Sequence, residues 1–472
     1  MSVTSWDRVA LATVLVVVAV LVGLHVRDHP TLSHIDELQH MDYTLKSPFH
    51  IPRHGDSIGR EAMEEAACRG IDYPLRLAID DLNGWLHRTG EKGVAQLRPG
   101  SVARVRLPNC RSLLMSPDQF PNSGLNTAST HPPVYYTTTA LGAAVLDAVP
   151  GVDSRVTGAR LVGILWLGAA AVVLWYLLAG LGTTIWIKAL LIGLLTASPT
   201  VLHESSIINP DVTALLGGAL VLAAALDWEK GRAPGWLLPL AALVAVWLKF
   251  TNSVAVGAAV LYLGIRVWQQ RGRIHGGESR SGRIHGVRIG SLVVVGGTAI
   301  ALVLASIISW SALQDARGHI PAEQLPTIAV HKVNSFQWDR LGQELFSAVT
   351  PLRDAFVPDS LPRNLLDPLG DLINLLLIAG LGAVAAFAPS GSKHRALTGA
   401  AVVAMVATGV ITMVSSYLSF EIYFDTNPRY GLSLLPFAVA AVVPVLSNRS
   451  IRWATTAVVL ATAGAALAGV AT

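Results

Sequence analysis

The run VALATVLVVVAVLVGLHV, from Val9 to Val26, is a continuous apolar stretch preceded by Asp7 and Arg8. A run of this kind is read as a membrane span. It is followed closely by Ser33-His34-Ile35-Asp36-Glu37-Leu38-Gln39-His40. That polar octet opens a segment that closes on Thr130-His131-Pro132-Pro133-Val134-Tyr135-Tyr136. On a helix Asp36, Glu37 and His40 share one face. An acidic pair beside an imidazole can take a proton or hold a divalent cation.

Working outward, the rest of the chain is built for lipid. Of its 472 residues 52% are hydrophobic and 14% charged, with a mean hydropathy of +0.50. Soluble domains average about 25% charged residues, so the expected class is an all-α polytopic membrane protein. A net charge of +4 gives no global support for a nucleic-acid partner. The run at Val9–Val26 has a barely basic start and no small-residue cleavage pattern after it, so a retained span is expected rather than a secretory signal.

Eleven further apolar stretches follow the first: Tyr135–Val149, Leu161–Leu181, Ile185–Leu202, Val212–Leu226, Trp236–Leu248, Val254–Trp268, Ile289–Ile308, Leu372–Ala388, Leu397–Tyr417, Tyr430–Leu446 and Trp453–Val470. Arg60–Ala67 and Pro74–Leu86 read as amphipathic surface helices. The linker from Arg266 to Arg288 holds six arginines and repeats Gly-Arg-Ile-His-Gly at 272–276 and 282–286. By the positive-inside rule it is cytoplasmic, as are the loops with Lys393 and Arg395 and with Arg449 and Arg452. Loops 27–131 and 309–368 are then external. Parity requires that one of the three stretches between residues 131 and 209 does not cross, and Tyr135–Val149 is the shortest. The expectation is about eleven spans, divided as residues 1–310 with a large first loop, a second external loop 311–368, and a C-terminal four-helix region 369–472. Both cysteines, Cys68 and Cys110, lie in the first loop. An extracytoplasmic loop permits a disulfide, and we expect one there because the loop lacks an obvious core. Two unpaired buried thiols are the alternative.

This topology gathers unusual polar residues on the outer face: Asp36, Glu37, His40, His131, His203, Glu204, Asn209, Asp211, Lys249, His331, Lys332, Arg429 and Tyr430. Ionisable groups at membrane boundaries mark ligand paths or internal partners. Structural readings stand beside this one. Asp36 and Glu37 suit the start of a surface helix, and His131-Pro132-Pro133 would stiffen the approach to a span.

An Asp-Glu pair after the first span, followed by a long loop ending His-Pro-Pro-x-Tyr-Tyr, resembles the GT-C superfamily of integral-membrane glycosyltransferases. Asn209-Pro210-Asp211, Lys249-Phe250-Thr251 and Arg429-Tyr430 extend the resemblance, which is nearest a poorly characterised bacterial branch. It covers most of the chain in layout, but its motifs amount to a dozen residues or so. The resemblance implies a polyprenyl-phosphate-linked sugar as donor, a glycan or lipid acceptor, and a site on the outer face of a bacterial plasma membrane. It implies Asp36 as the base, and Glu37 as an acceptor-orienting or metal-binding residue. It places His40, His131, Asp211, Lys249, Arg429 and Tyr430 about the substrates, with Lys249 and Arg429 at the donor phosphate. A divalent cation such as Mg or Mn, held by Glu37 and His131, is a further implication. The soluble C-terminal domain of some members is not expected here, which would leave acceptor recognition to the two outer loops.

A transporter or flippase of lipid-linked sugars explains the spans and buried charge as well. It explains a long outer loop with paired carboxylates less well, because transporter sites lie near the midplane on broken helices. A non-catalytic assembly subunit is the third class.

Overall fold

The computed structural model describes residues 5–34, 36–73, 103–104, 107–275, 289–329, 331–352 and 363–468. The helix expected at Pro74–Leu86 and the second Gly-Arg-Ile-His-Gly copy lie outside them. Among the described residues, seven helices are long and apolar enough to cross a bilayer: Ser5–Asp28, Arg155–Gly180, Pro210–Glu229, Phe250–Gln269, Ile289–Arg317, Pro368–Phe387 and Lys393–Phe420. Val134–Leu146, Ile185–Thr196 and Leu237–Leu248 are shorter apolar helices. With 13, 12 and 12 residues, each rises only ~20 Å at 1.5 Å per residue, against a hydrocarbon core of ~30 Å.

Chemistry at the ends explains where these helices stop. The stretch expected from Ile185 to Leu202 breaks at Ser198-Pro199, so Pro199–Glu204 forms a separate short helix. Proline fits the first turn of a helix but not its interior. Ile289–Arg317 runs past the expected end at Ile308 because Trp310 and Gln314 keep one face buried. Trp310 donates its indole N–H to the Thr130 carbonyl, and Gln314 donates to the Pro52 carbonyl. These two bonds tie the helix to the first loop.

The bundle core runs through Trp175, Leu222, Tyr262, Phe437 and their apolar neighbours. Ala214–Glu229 sits centrally, packed on Gly163–Gly180, Leu237–Leu248 and Ser253–His275. Val16, Leu165, Leu304 and Ile411 point outward and are exposed, which suits side chains whose solvent is lipid.

The first loop is more ordered than its sequence promised. Leu32, Leu38, Met41, Ile58, Met63, Ile71, Met115 and Phe120 form a second core, which also takes in Ala143, Val156 and Ile208 of the bundle. The loop therefore has the core that the sequence reading did not find in it. A small sheet edges this core. Leu32–Ser33 (β1) pairs parallel with Ile71–Tyr73 (β2), and β2 pairs antiparallel with Ala103–Arg104 (β3). Cys68, at the end of the helix Arg60–Arg69, is disulfide-bonded to Cys110. Arg60 donates to the carbonyls of Ser112 and Leu113 just beyond that cysteine.

Candidate functional site

Asp36 opens the helix Glu37–Lys46 and stands in the left-handed region, with φ 53° and ψ 10°. Few residues other than glycine occupy that region, and aspartate is among those that do. The kink turns the next side chain inward while Asp36 itself stays exposed. Its carbonyl accepts the His40 N–H at 3.0 Å, which closes the first helical turn.

Glu37 is fully buried against Arg160, itself 2% exposed. Arg160 donates through Nε to Oε1 and through Nη2 to Oε2, both at 2.7 Å. The Ser33 N–H donates to Oε2 and the Ile208 N–H to Oε1, at 2.7 and 3.0 Å. Arg160 also binds the carbonyls of His29 and Thr31, each at 2.7 Å. This fork-to-fork pair joins the loop to the bundle. The sequence reading missed Arg160 because it began that span at Leu161. An arginine at the lip of an apolar run is itself the signal that a buried carboxylate faces it.

His40 lies one turn along, with Nδ1 2.7 Å from the Tyr136 hydroxyl. Its ring centroid is 5.3 Å from that of His131, and the Tyr136 ring stacks on Tyr43 at 3.8 Å. Burial pushes the His131 imidazole down to about 3, and the Lys249 and Arg429 cations add to it against an opposing pull from Asp211. Burial pushes His40 well below the ordinary imidazole range too, with His131, Lys249 and Arg429 acting in the same direction. Both rings are neutral near pH 7, and neither is a strong proton acceptor.

Asp211 is presented by a turn capped by Asn209, whose Oδ1 accepts the Asp211 N–H at 3.0 Å. Arg429 is presented the same way, with Asn427 Oδ1 accepting its N–H at 3.1 Å. Each turn reads Asn-Pro-x, where asparagine supplies the cap and proline the first-turn geometry. The Arg429 Nε lies 3.0 Å from Asp211 Oδ2, and its Nη1 lies 3.5 Å from Glu204 Oε1. The Lys249 ammonium binds Asp211 Oδ1 and lies 5.6 Å from the centroid of the Tyr430 ring. Two cations thus share one buried carboxylate.

Asp211, Lys249, Arg429 and Tyr430 therefore come together, the two cations act on His40 and His131, and Asp36 stands one helical turn before His40. His203 lies beside them on a separate branch, with Nε2 3.2 Å from the Ser33 hydroxyl and Nδ1 3.5 Å from His25 Nε2. His331 and Lys332 are exposed and pair instead with the strand-like segment at Ile422–Phe424.

The donor set expected for a divalent cation does not fit this arrangement. Both Glu37 oxygens are already taken by Arg160 and two amides, and His131 sits in the field of two cations. Among the described residues no group of three or more His, Cys, Asp or Glu side chains is placed to hold a metal.

Chemically, the site offers the exposed Asp36 in a left-handed backbone position at the head of the His40 helix, and buried cations that are held by a shared counter-charge. Such an arrangement can accept a proton at one point and steady a developing anion at another. No protein-family model matches the chain, and neither a curated protein nor a solved structure matches it.

Proposed function

We propose that the chain is a membrane glycosyltransferase that moves a sugar from a polyprenyl-phosphate donor to a cell-envelope acceptor. In this reading the stretches Ile185–Leu202, Trp236–Leu248, Tyr430–Leu446 and Trp453–Val470 add four crossings to the seven long helices, Val134–Leu146 adds none, and the count of about eleven spans agrees with parity and the basic loops. The site then opens on the extracytoplasmic face of a bacterial plasma membrane. The layout is similar to that of GT-C enzymes, and the polar cluster gives each part of the transfer a residue.

One observation carries the proposal: exposed Asp36 heads the helix that carries His40 into the field of Lys249 and Arg429, the two cations that converge on Asp211. Asp36 takes the proton from the acceptor hydroxyl as that oxygen attacks the sugar. The bond between sugar and phosphate breaks, and Lys249 and Arg429 steady the departing phosphate. Lipid phosphate is a ready leaving group and needs no nucleotide fold. His131 and His40, neutral at working pH, position groups by hydrogen bonding. Glu37 acts through Arg160 as an anchor that sets the Asp36 turn.

The test is transfer of sugar from a lipid-linked donor by the purified protein in nanodiscs, with Asp36→Asn as the comparison. Transfer that depends on Asp36 supports the enzyme. Translocation of the same lipid across proteoliposomes without transfer would replace this reading with the flippase.

A further inference from the structure

The turn that presents Arg429 is held from outside the cluster, by a segment of the second loop. Leu341–Ser347 is a short helix whose Glu344 is fully buried. Burying a carboxylate is costly unless it is well satisfied. Among the described residues its partners are neutral donors. The Thr426 N–H donates to Oε1 and Oε2 at 3.3 and 3.2 Å, and the Tyr423 hydroxyl, whose one proton is shared with Asp425 Oδ1 at 2.7 Å, lies 3.1 Å from Oε1. Thr426 immediately precedes Asn427, the residue that caps Arg429. A single carboxylate therefore fixes the backbone leading into that turn.

Two close approaches keep the segment in place. The Glu344 carbonyl lies where a Cβ on Gly409 would stand, and the Ala348 carbonyl lies against Gly431 in the same way. Only glycine at these positions lets the helix seat on the span Lys393–Phe420 and on the residues just after Arg429. Further along, the Leu352 carbonyl accepts the Thr200 hydroxyl at 2.9 Å. Thr200 belongs to Pro199–Glu204, the helix that carries Glu204. The stretch from Glu344 to Leu352 thus touches both the Arg429 turn and the helix bearing its second carboxylate partner.

We propose that Glu344 is a positioning residue that sets the Arg429 guanidinium for an anionic lipid phosphate. The inference rests on the reading of Arg429 as a phosphate-binding cation. Glu344 does not touch the ligand. It acts through the Thr426 amide.

The experiment uses the full chain in lipid nanodiscs, with decaprenyl phosphate as the binding probe. Wild type, Glu344→Ala, Glu344→Gln, Arg429→Ala and the Glu344→Ala/Arg429→Ala double variant are compared, and amide hydrogen exchange is followed across residues 421–434. Losing a hydrogen bond to a charged group should weaken binding about tenfold in Glu344→Ala. The double variant should then be no weaker than Arg429→Ala alone, because the two act in series. Exchange at Thr426 and through the turn should rise in Glu344→Ala. Glu344→Gln should restore most of the affinity, since its side-chain carbonyl still accepts the Thr426 N–H. Wild-type affinity in Glu344→Ala, losses that multiply in the double variant, or unchanged exchange would each overturn the positioning role. Equal binding by wild type and Arg429→Ala overturns the phosphate reading of Arg429 instead, and hydrogen exchange then still decides whether Glu344 fixes the turn. If Glu344→Ala does not fold, Tyr423→Phe removes one donor only, and a smaller rise in exchange over the same residues is expected.

Discussion

Asp211 and Arg429 meet at 3.0 Å from two turns of the same construction, each an Asn-Pro-x cap at the start of a buried helix. The symmetry has a physical cause. A charged side chain at this depth must be aimed, and an asparagine cap with proline behind it fixes both the backbone and the direction of the third residue. Lys249 reaches the same carboxylate from the end of Leu237–Leu248. The result is a compact charge cluster with Asp211 at its centre.

That centrality gives a first prediction. Asp211→Ala leaves two buried cations without their shared partner, so the loss should be roughly 3–5 kcal/mol. Lys249→Met leaves Asp211 still paired with Arg429, and should cost less. Thermal unfolding in detergent should show the larger drop for Asp211→Ala. Equal drops would mean that the carboxylate is not shared as described.

Glu37 and Arg160 give a second. Removing either half of this saturated buried pair strands the other, again at roughly 3–5 kcal/mol. Glu37→Gln should therefore unfold at lower temperature, and added Mg or Mn should leave the melting temperatures of wild type and variant alike unchanged. A metal-induced rise in the wild-type melting temperature that Glu37→Gln lacks would return Glu37 to the role of a ligand.

Much of this was legible in the sequence because it rests on local chemistry. Unbroken apolar runs marked the seven helices long enough to cross a bilayer, and polar residues at the ends of such runs marked most of the cluster. Asp36, His40, His131, Asp211, Lys249, Arg429 and Tyr430 needed only the alternation of loops to be placed at one end. What escaped the reading depends on long-range pairing. Arg160 lies at the edge of an apolar run, and its partner is 123 residues away. Glu344 sits in an undistinguished loop, and its meaning appears only when Thr426 is beside it. The core of the first loop draws on Leu32, Ile71, Met115 and Phe120, too scattered for any periodic signal.

The two site histidines make a third prediction, on pH. Unfolded, His131 carries an ordinary imidazole near 6.5, and folding lowers it to about 3. Between those values the unfolded chain binds a proton that the folded chain does not. Its contribution to stability is therefore complete above about pH 6.5 and is lost progressively toward pH 3. His40 shifts in the same direction. The melting temperature should fall as the pH is lowered from 7 to 5, and His131→Asn should flatten that slope. A melting temperature that rose on acidification would contradict the burial of these rings.

The Cys68–Cys110 bond supplies a fourth. It closes a loop with a sequence separation of 42, and chain entropy for a loop of that size corresponds to ~4 kcal/mol. The Cys68→Ser/Cys110→Ser double variant should lose protection from proteolysis in the first loop before the bundle melts. Loss of both together would show that loop and bundle unfold as one unit.

Asp36 carries the last prediction. Its carboxylate is exposed, its backbone sits at φ 53°, and its field reaches the Tyr430 ring that lies under the Lys249 ammonium. Asp36→Asn keeps the size, the hydrogen-bonding capacity and a residue type that tolerates the left-handed region. Folding and donor-lipid binding should therefore survive. What disappears is the lone pair that accepts the acceptor's proton, and general-base assistance is worth roughly 10²–10⁴-fold in rate. Arg429→Ala should behave oppositely, weakening the hold on donor phosphate while leaving the base in place and some transfer intact. Saturating donor should thus recover part of the Arg429→Ala rate and none of the Asp36→Asn rate. The measurement is transfer rate against donor concentration for the three proteins. Wild-type turnover by Asp36→Asn would remove Asp36 as the base. Since the lowered His131 and His40 are poor proton acceptors, the proton would then have to leave through solvent.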